Sequence, residues 1–77
     1  MNKDKTRHLK SHITLGNNIR QAREAKKLSQ EELGFRIKSA QNYIGCIEHG
    51  GKSPSLDVIF DIAVTLNCKA NEFFKEI

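Results

Sequence analysis

The sequence predicts an all-α fold of five short helices. Three observations carry that prediction: apolar residues recur at helical spacing from Ile13 onward, no segment alternates in the manner of a strand, and helix-capping residues punctuate the chain. A length of 77 residues allows one domain. The hydrophobic fraction of 38 % is that of a packed domain rather than a disordered one. A core this small needs short connections, close helix packing or association between copies.

The elements follow in order. Residues 1–12 lack apolar periodicity and read as a flexible basic tail, leaving 13–77 as the domain. Leu15, Ile19 and Ala22 then mark a first helix from Ile13 to about Lys27. Ser29-Gln30-Glu31-Glu32 has the form of a capping box, in which Ser29 accepts from the N–H three residues on and Glu32 reaches back to the cap N–H. It starts a second helix with Leu33 and Ile37 inward, and Gly34 is the small residue on its inner face. After a break at Lys38-Ser39, a third helix runs from Gln41 to Glu48 with Ile44 and Ile47 inward, ended by Gly50-Gly51. Ser55 caps a fourth helix, whose dipole Asp57 complements and whose expected apolar stripe is Leu56, Ile59, Phe60, Ala63 and Leu66. Ala70 to Lys75 forms the last, with Phe73 and Phe74.

Several classes of function are set aside on composition. There is no apolar run of membrane-span length and no signal-peptide core, so a cytoplasmic location without membrane contact is expected. Cys46 and Cys68 sit among apolar neighbours and read as small core residues. Cys46 and His49 are three apart on a helix, but without a CxxC pair or a four-ligand cluster no metal is expected. No catalytic constellation is present, so neither an enzyme nor a cofactor is expected. Gly50-Gly51-Lys52-Ser53 echoes a phosphate-loop ending, yet no strand precedes it.

Charge is uneven. Residues 1–27 carry eight basic side chains and two acidic ones, whereas residues 39–77 carry three and five. The first half suits a polyanion and the second does not. The stretch from Gln30 to Gly50 is informative through its geometry rather than its charge. Two short helices joined by a tight turn can press the second into a DNA major groove, about 12 Å wide, while the first crosses the backbone.

The segments LGNNIRQAREAKKLSQEELGFRI and YIGCIEHGGKSPSLDVIFDIAVTL, followed by NEFF, resemble the Cro/C1-type helix-turn-helix family, also called the Xre family, over about Leu15 to Phe74. The resemblance implies a compact five-helix lambda-repressor-like domain. Within the family, the basic start and the Phe-rich end are similar to the controller proteins of restriction-modification systems. By resemblance, Ala40, Gln41, Asn42 and Cys46 face base edges, with Ala40 placed for a thymine methyl. Ser29 and Gln30 then contact the DNA backbone together with His49 and Lys52, and Gln30 also braces the reading helix. Arg23 and Glu48 match a partly buried ion pair.

The chemistry of these residues agrees. Gln41 and Asn42 each carry the donor and acceptor that adenine offers in mirror image at N7 and N6. No Arg or Lys lies between Ser39 and Glu48, so half-sites containing A·T pairs are expected, and phosphate affinity falls to residues such as Arg36 and Lys38. Lys27 and Lys38 stand where the family has glycine, at a cost of about 1 kcal/mol each for a left-handed backbone. Ala40 lacks the usual hydroxyl cap, which leaves Ser39 as an alternative cap.

The expected function is transcriptional regulation by a homodimer on a near-palindromic stretch of double-stranded DNA, with RNA polymerase, blocked or recruited, as a further partner. Phe73, Phe74 and Ile77 are the expected dimer-contact residues; adjacent residues on a helix point about 100° apart, so one phenylalanine faces the core. The alternative is an antitoxin that binds a toxin protein and autoregulates its operon.

Overall fold

The computed structural model describes residues 7–77. Among them are four α-helices, α1 (Leu9–Ala25), α2 (Gln30–Arg36), α3 (Gln41–Glu48) and α4 (Leu56–Leu66), followed by a 3-10 helix, Ala70–Phe74. The expected five-helix bundle is thus four α-helices and one tighter turn. Five residues are too few to build a stable α-helical nucleus. The Asn18 side chain instead pins this segment, its Nδ2 donating to the carbonyls of Phe73 and Lys75 at 3.0 Å each.

The first helix begins at Leu9, four residues before Ile13. Leu9 and Ile13 share a helical spacing, and no proline or glycine separates them. Ile13 also lies against Gly50 beyond the end of α3. Of the expected tail, Leu9 to His12 therefore belong to the helix, and residues 1–6 lie outside the described part.

All four α-helices stop by the same device. A residue at positive φ follows the last helical turn at Lys27 (59°), Lys38 (60°), Gly50 (80°) and Asn67 (56°). The next amide then reaches back five residues: Leu28 to Arg23 O, Ser39 to Gly34 O, Gly51 to Cys46 O and Cys68 to Ala63 O, at 2.7–3.3 Å. This double-bonded ending satisfies carbonyls that a helix terminus otherwise leaves unpaired. Two of the four left-handed positions are lysines, as their place in the sequence implies.

The starts are equally local. Ser29 Oγ accepts from the Glu32 N–H at 3.0 Å, and the Ser29 N–H donates to Glu32 Oε1 at 2.7 Å. The bond from the Ser29 N–H, and after it the nearby Ser29 hydroxyl, hold the Glu32 carboxyl below the ordinary glutamate range. Ser55 caps α4 through the Val58 N–H at 3.1 Å. Ala40 precedes α3 in an extended conformation with no side-chain cap bond, so the start at Gln41 stands and Ser39 does not take over.

The core consists of Leu15, Ile19, Leu33, Ile44, Ile47, Ile59, Ile62, Ala63, Leu66 and Phe73. Two expectations need correcting. Phe73 is fully buried and completes the core, so it is not a dimer-contact residue. On α4, Ile62 faces inward, whereas Leu56 and Phe60 are 64 % and 50 % exposed. Helix α4 is apolar on nearly every side, so spacing alone matches two faces equally well.

Contacts between helices are close enough to demand glycine. A Cβ at Gly16 of α1 overlaps the carbonyl of Ile47 and lies 2.7 Å from that of Glu48. One at Gly34 of α2 lies 2.7 Å from Ser39 O. At the same crossing of α1 and α3, the buried Arg23 guanidinium grips the Glu48 carboxylate with both ends: Nε donates to Oε2 at 2.6 Å and Nη2 to Oε1 at 3.0 Å. Nη1 donates to Leu28 O at 2.8 Å. Hydrogen bonding to Glu48 raises the Arg23 pKa further, against the opposing effect of burial, so the guanidinium stays charged.

Glu48→Ala leaves a buried guanidinium without its counter-ion and is expected to cost about 3–5 kcal/mol in urea denaturation. Arg20→Ala, which breaks only the exposed pair to Glu24, is expected to cost about 0.5 kcal/mol or less. The lowered Glu32 pKa gives a second expectation. A carboxyl more acidic in the folded chain stabilises it fully above the ordinary glutamate pKa, and that contribution is lost as pH falls through the lowered value. Melting temperatures taken from neutral pH to about pH 3 should therefore fall less steeply for Glu32→Gln than for the unaltered chain.

Candidate nucleic-acid interface

Helices α2 and α3 form the predicted pair, and the turn between them is set by three residues. Gly34 lets the Ser39 carbonyl come close, Lys38 reverses the chain in the left-handed region, and the Ser39 N–H closes the turn on Gly34 O at 2.7 Å. Leu33, Ile44 and Ile47 are buried beneath, with Ile37 packed against them. Burial of Ile44 and Ile47 leaves the opposite side of α3 to solvent, because residues three and four apart share a face.

That outer side carries the expected reading residues. Ala40, Gln41 and Asn42 are exposed at its start, Gly45 and Cys46 are half-buried along it, and His49 is exposed at its end. Ser29, Arg36, Lys38 and Lys52 are exposed as well. Among the described residues neither Arg36 nor Lys38 lies within 4 Å of a carboxylate, so both can meet an outside anion.

Gln30 is half-buried, and its Nε2 donates to Glu48 Oε1 at 3.0 Å. Glu48, whose side chain is only 1 % exposed, thus receives Arg23 from α1 and Gln30 from α2. Every buried side-chain nitrogen and oxygen among the described residues has a hydrogen-bond partner. Helix α3 is locked to both neighbours through one carboxylate near its C-terminal end. The Arg23–Glu48 pair is present as read from the resemblance; the second clamp, through Gln30, explains how a glutamine at that position braces α3.

The two thiols are free and half-buried. Burial, followed by the nearby Glu72 charge, pushes the Cys68 thiol up, which keeps it protonated and unreactive. Among the described residues no three His, Cys, Asp or Glu side chains come together as metal ligands. No described helix is long and apolar enough to cross a membrane.

Apolar side chains that the core does not use are concentrated on α4. Leu56, Phe60 and Val64 are 64 %, 50 % and 80 % exposed and fall on one strip at four-residue spacing. Phe74 and Ile77 are 44 % and 55 % exposed. Sequence reasoning placed Leu56 and Phe60 in the core and passed over Val64. The signal was the second four-residue series in Leu56–Leu66, running beside the buried one. Phe35 of α2 is 83 % exposed.

The helix-turn-helix family pattern matches residues 19–73. Over 56 residues, 73 % of this chain, the sequence is 43 % identical to an uncharacterised HTH-type transcriptional regulator, y4dL, of Sinorhizobium fredii, and spans 28 % of that relative's length. Among solved structures, the restriction-modification controller protein C.AhdI from Aeromonas hydrophila is 34 % identical and superposes with a TM-score of 0.83, over 87 % of this chain and 97 % of that one. With the helix pair and its tight turn, the clamp on Glu48 and a match running from α1 through Phe73, the chain belongs to the helix-turn-helix family of Cro/C1 (Xre) type, whose members are DNA-binding proteins rather than enzymes.

Proposed function

We propose that this chain is a cytoplasmic transcriptional regulator that binds a near-palindromic operator as a homodimer, with α3 of each copy in the major groove. The observation that carries the reading is the disposition of α3: Gln41 and Asn42 project to solvent while the same helix is held from behind by Ile44, Ile47 and Glu48. A rigid helix that presents planar amides has the geometry direct readout needs, since each amide can bind adenine with two hydrogen bonds. Ala40 and Cys46 supply apolar or weakly polar contact beside them.

Ser29, Arg36, Lys38, His49 and Lys52 surround this face and are assigned to phosphates, which position the protein without reading sequence. Gln30 keeps one amide hydrogen beyond the one it gives to Glu48, which suffices for a phosphate as well. The strip of Leu56, Phe60 and Val64, with Phe74 and Ile77, is assigned to the contact between copies. Exposed aliphatic and aromatic residues in this number mark an association surface rather than ordinary surface. Two copies so joined place their reading helices in successive major grooves about 34 Å apart. The likeness to a restriction-modification controller supports a role in setting expression of such a gene set, by blocking or recruiting RNA polymerase.

Selection of binding sites from random duplex DNA at fixed salt tests the reading directly. A symmetric site with A·T pairs in each half is expected; no enrichment would overturn it. Gln41→Ala should relax preference at one base position per half-site by about 1–3 kcal/mol while leaving binding to unrelated duplex nearly unchanged. Equal loss on all sequences would remove Gln41 from base readout. Phe60→Glu should leave the helical circular-dichroism signal intact, make the chain monomeric in sedimentation at micromolar concentration, and weaken operator binding. A dimer that persists in this variant would place the contact elsewhere.

A further inference from the structure

Three glycines stand inside α-helices: Gly16, Gly34 and Gly45. Two are explained by the chain's own packing, because a Cβ there meets a neighbouring backbone carbonyl at 2.7 Å or less. Gly45 has no such reason. Its φ is not in the left-handed region, and its carbonyl accepts the His49 N–H at 3.0 Å as in any regular helix. A Cβ built on it meets only the flexible end of Gln30, at 3.4 Å from Oε1 and 3.7 Å from Nε2, which is ordinary contact. Glycine is nevertheless among the poorest residues for a helix interior, and α3 is only 8 residues long with no side-chain cap. The chain therefore carries a destabilising residue at a position where its own fold accepts alanine.

The position explains what the fold does not. Gly45 lies three and four residues after Asn42 and Gln41 and four before His49, half-buried on the flank of the outer side of α3 that adjoins Gln30. A helix with its side chains is about 10–12 Å across, close to the width of the major groove. One missing side chain on that flank lets the helix axis lie closer to the base edges. We infer that Gly45 is a specificity determinant: its bare backbone faces the major-groove edge of a base pair, and its lack of a Cβ sets how deeply Gln41 and Asn42 reach. This rests on the DNA-reading function proposed above and adds to it the residue that governs docking depth.

The test uses the duplex recovered by site selection with the unaltered chain, and a scrambled duplex of the same length. Gly45→Ala should raise the melting temperature by about 4–8 °C. It should weaken binding to the selected duplex by about tenfold or more, and change binding to the scrambled duplex by about twofold or less. The same loss on the selected duplex should appear when Gly45→Ala is made in a Gln30→Ala background. Operator binding equal to that of the unaltered chain, or a lowered melting temperature, overturns the inference. So does a loss that disappears in the Gln30→Ala background, since the glycine would then serve only to seat Gln30. Failure of the unaltered chain to select any sequence is a separate result; it refutes the DNA-reading function and this inference with it.

Discussion

The buried carboxylate of Glu48 is the point at which three helices meet. Arg23 reaches it from α1 and Gln30 from α2, and it belongs to α3 itself. A buried ion pair adds little net stability compared with an apolar substitute, because both charges lose their water. Its contribution here is geometric. A bidentate guanidinium and an amide donor admit one orientation, whereas the aliphatic residues beneath tolerate small rotations. In the proposed function, where α3 holds side chains against base edges, that restriction matters more than added stability.

The close crossing at Gly16 works with the clamp. The backbone of α1 lies against the carbonyls of Ile47 and Glu48, so the partners approach without a side chain between them. Repetition of one helix ending at Lys27, Lys38, Gly50 and Asn67 sets the remaining directions. Each connection is short because the same few hydrogen bonds both stop a helix and turn the chain.

Much of this was legible in the residues because it is local. The capping box at Ser29 and Glu32, the cap at Ser55, the left-handed Lys38 and the stop at Gly50 depend on neighbours within a few positions, and each stands as read. The faces of α2 and α3 were legible too, since their polar residues leave a single apolar side. What failed depends on distant partners. Helix α4 is apolar on both flanks, so choosing between Phe60 and Ile62 needed the position of the rest of the core. The N-terminal part of α1 packs with Ile13 near Gly50, some forty positions away along the chain, and the burial of Phe73 depends on α1. At the candidate site the outward Gln41 and Asn42 followed from the spacing of Ile44 and Ile47. The hold of Gln30 on Glu48 did not, because eighteen positions separate them in the chain.

The placement of Phe73 has a temporal consequence. Nearly all the other hydrogen bonds described join residues close in sequence, but the last aromatic ring of the core and the Asn18 bonds that seat it span more than fifty positions. Until the segment that carries Phe73 has emerged during synthesis, the hydrophobic centre stays open. Small helical domains fold in microseconds to milliseconds, whereas making 77 residues takes on the order of ten seconds at ribosomal speed. The core therefore closes only after Phe73 has become available, and the delay before it closes is set by translation rather than by folding.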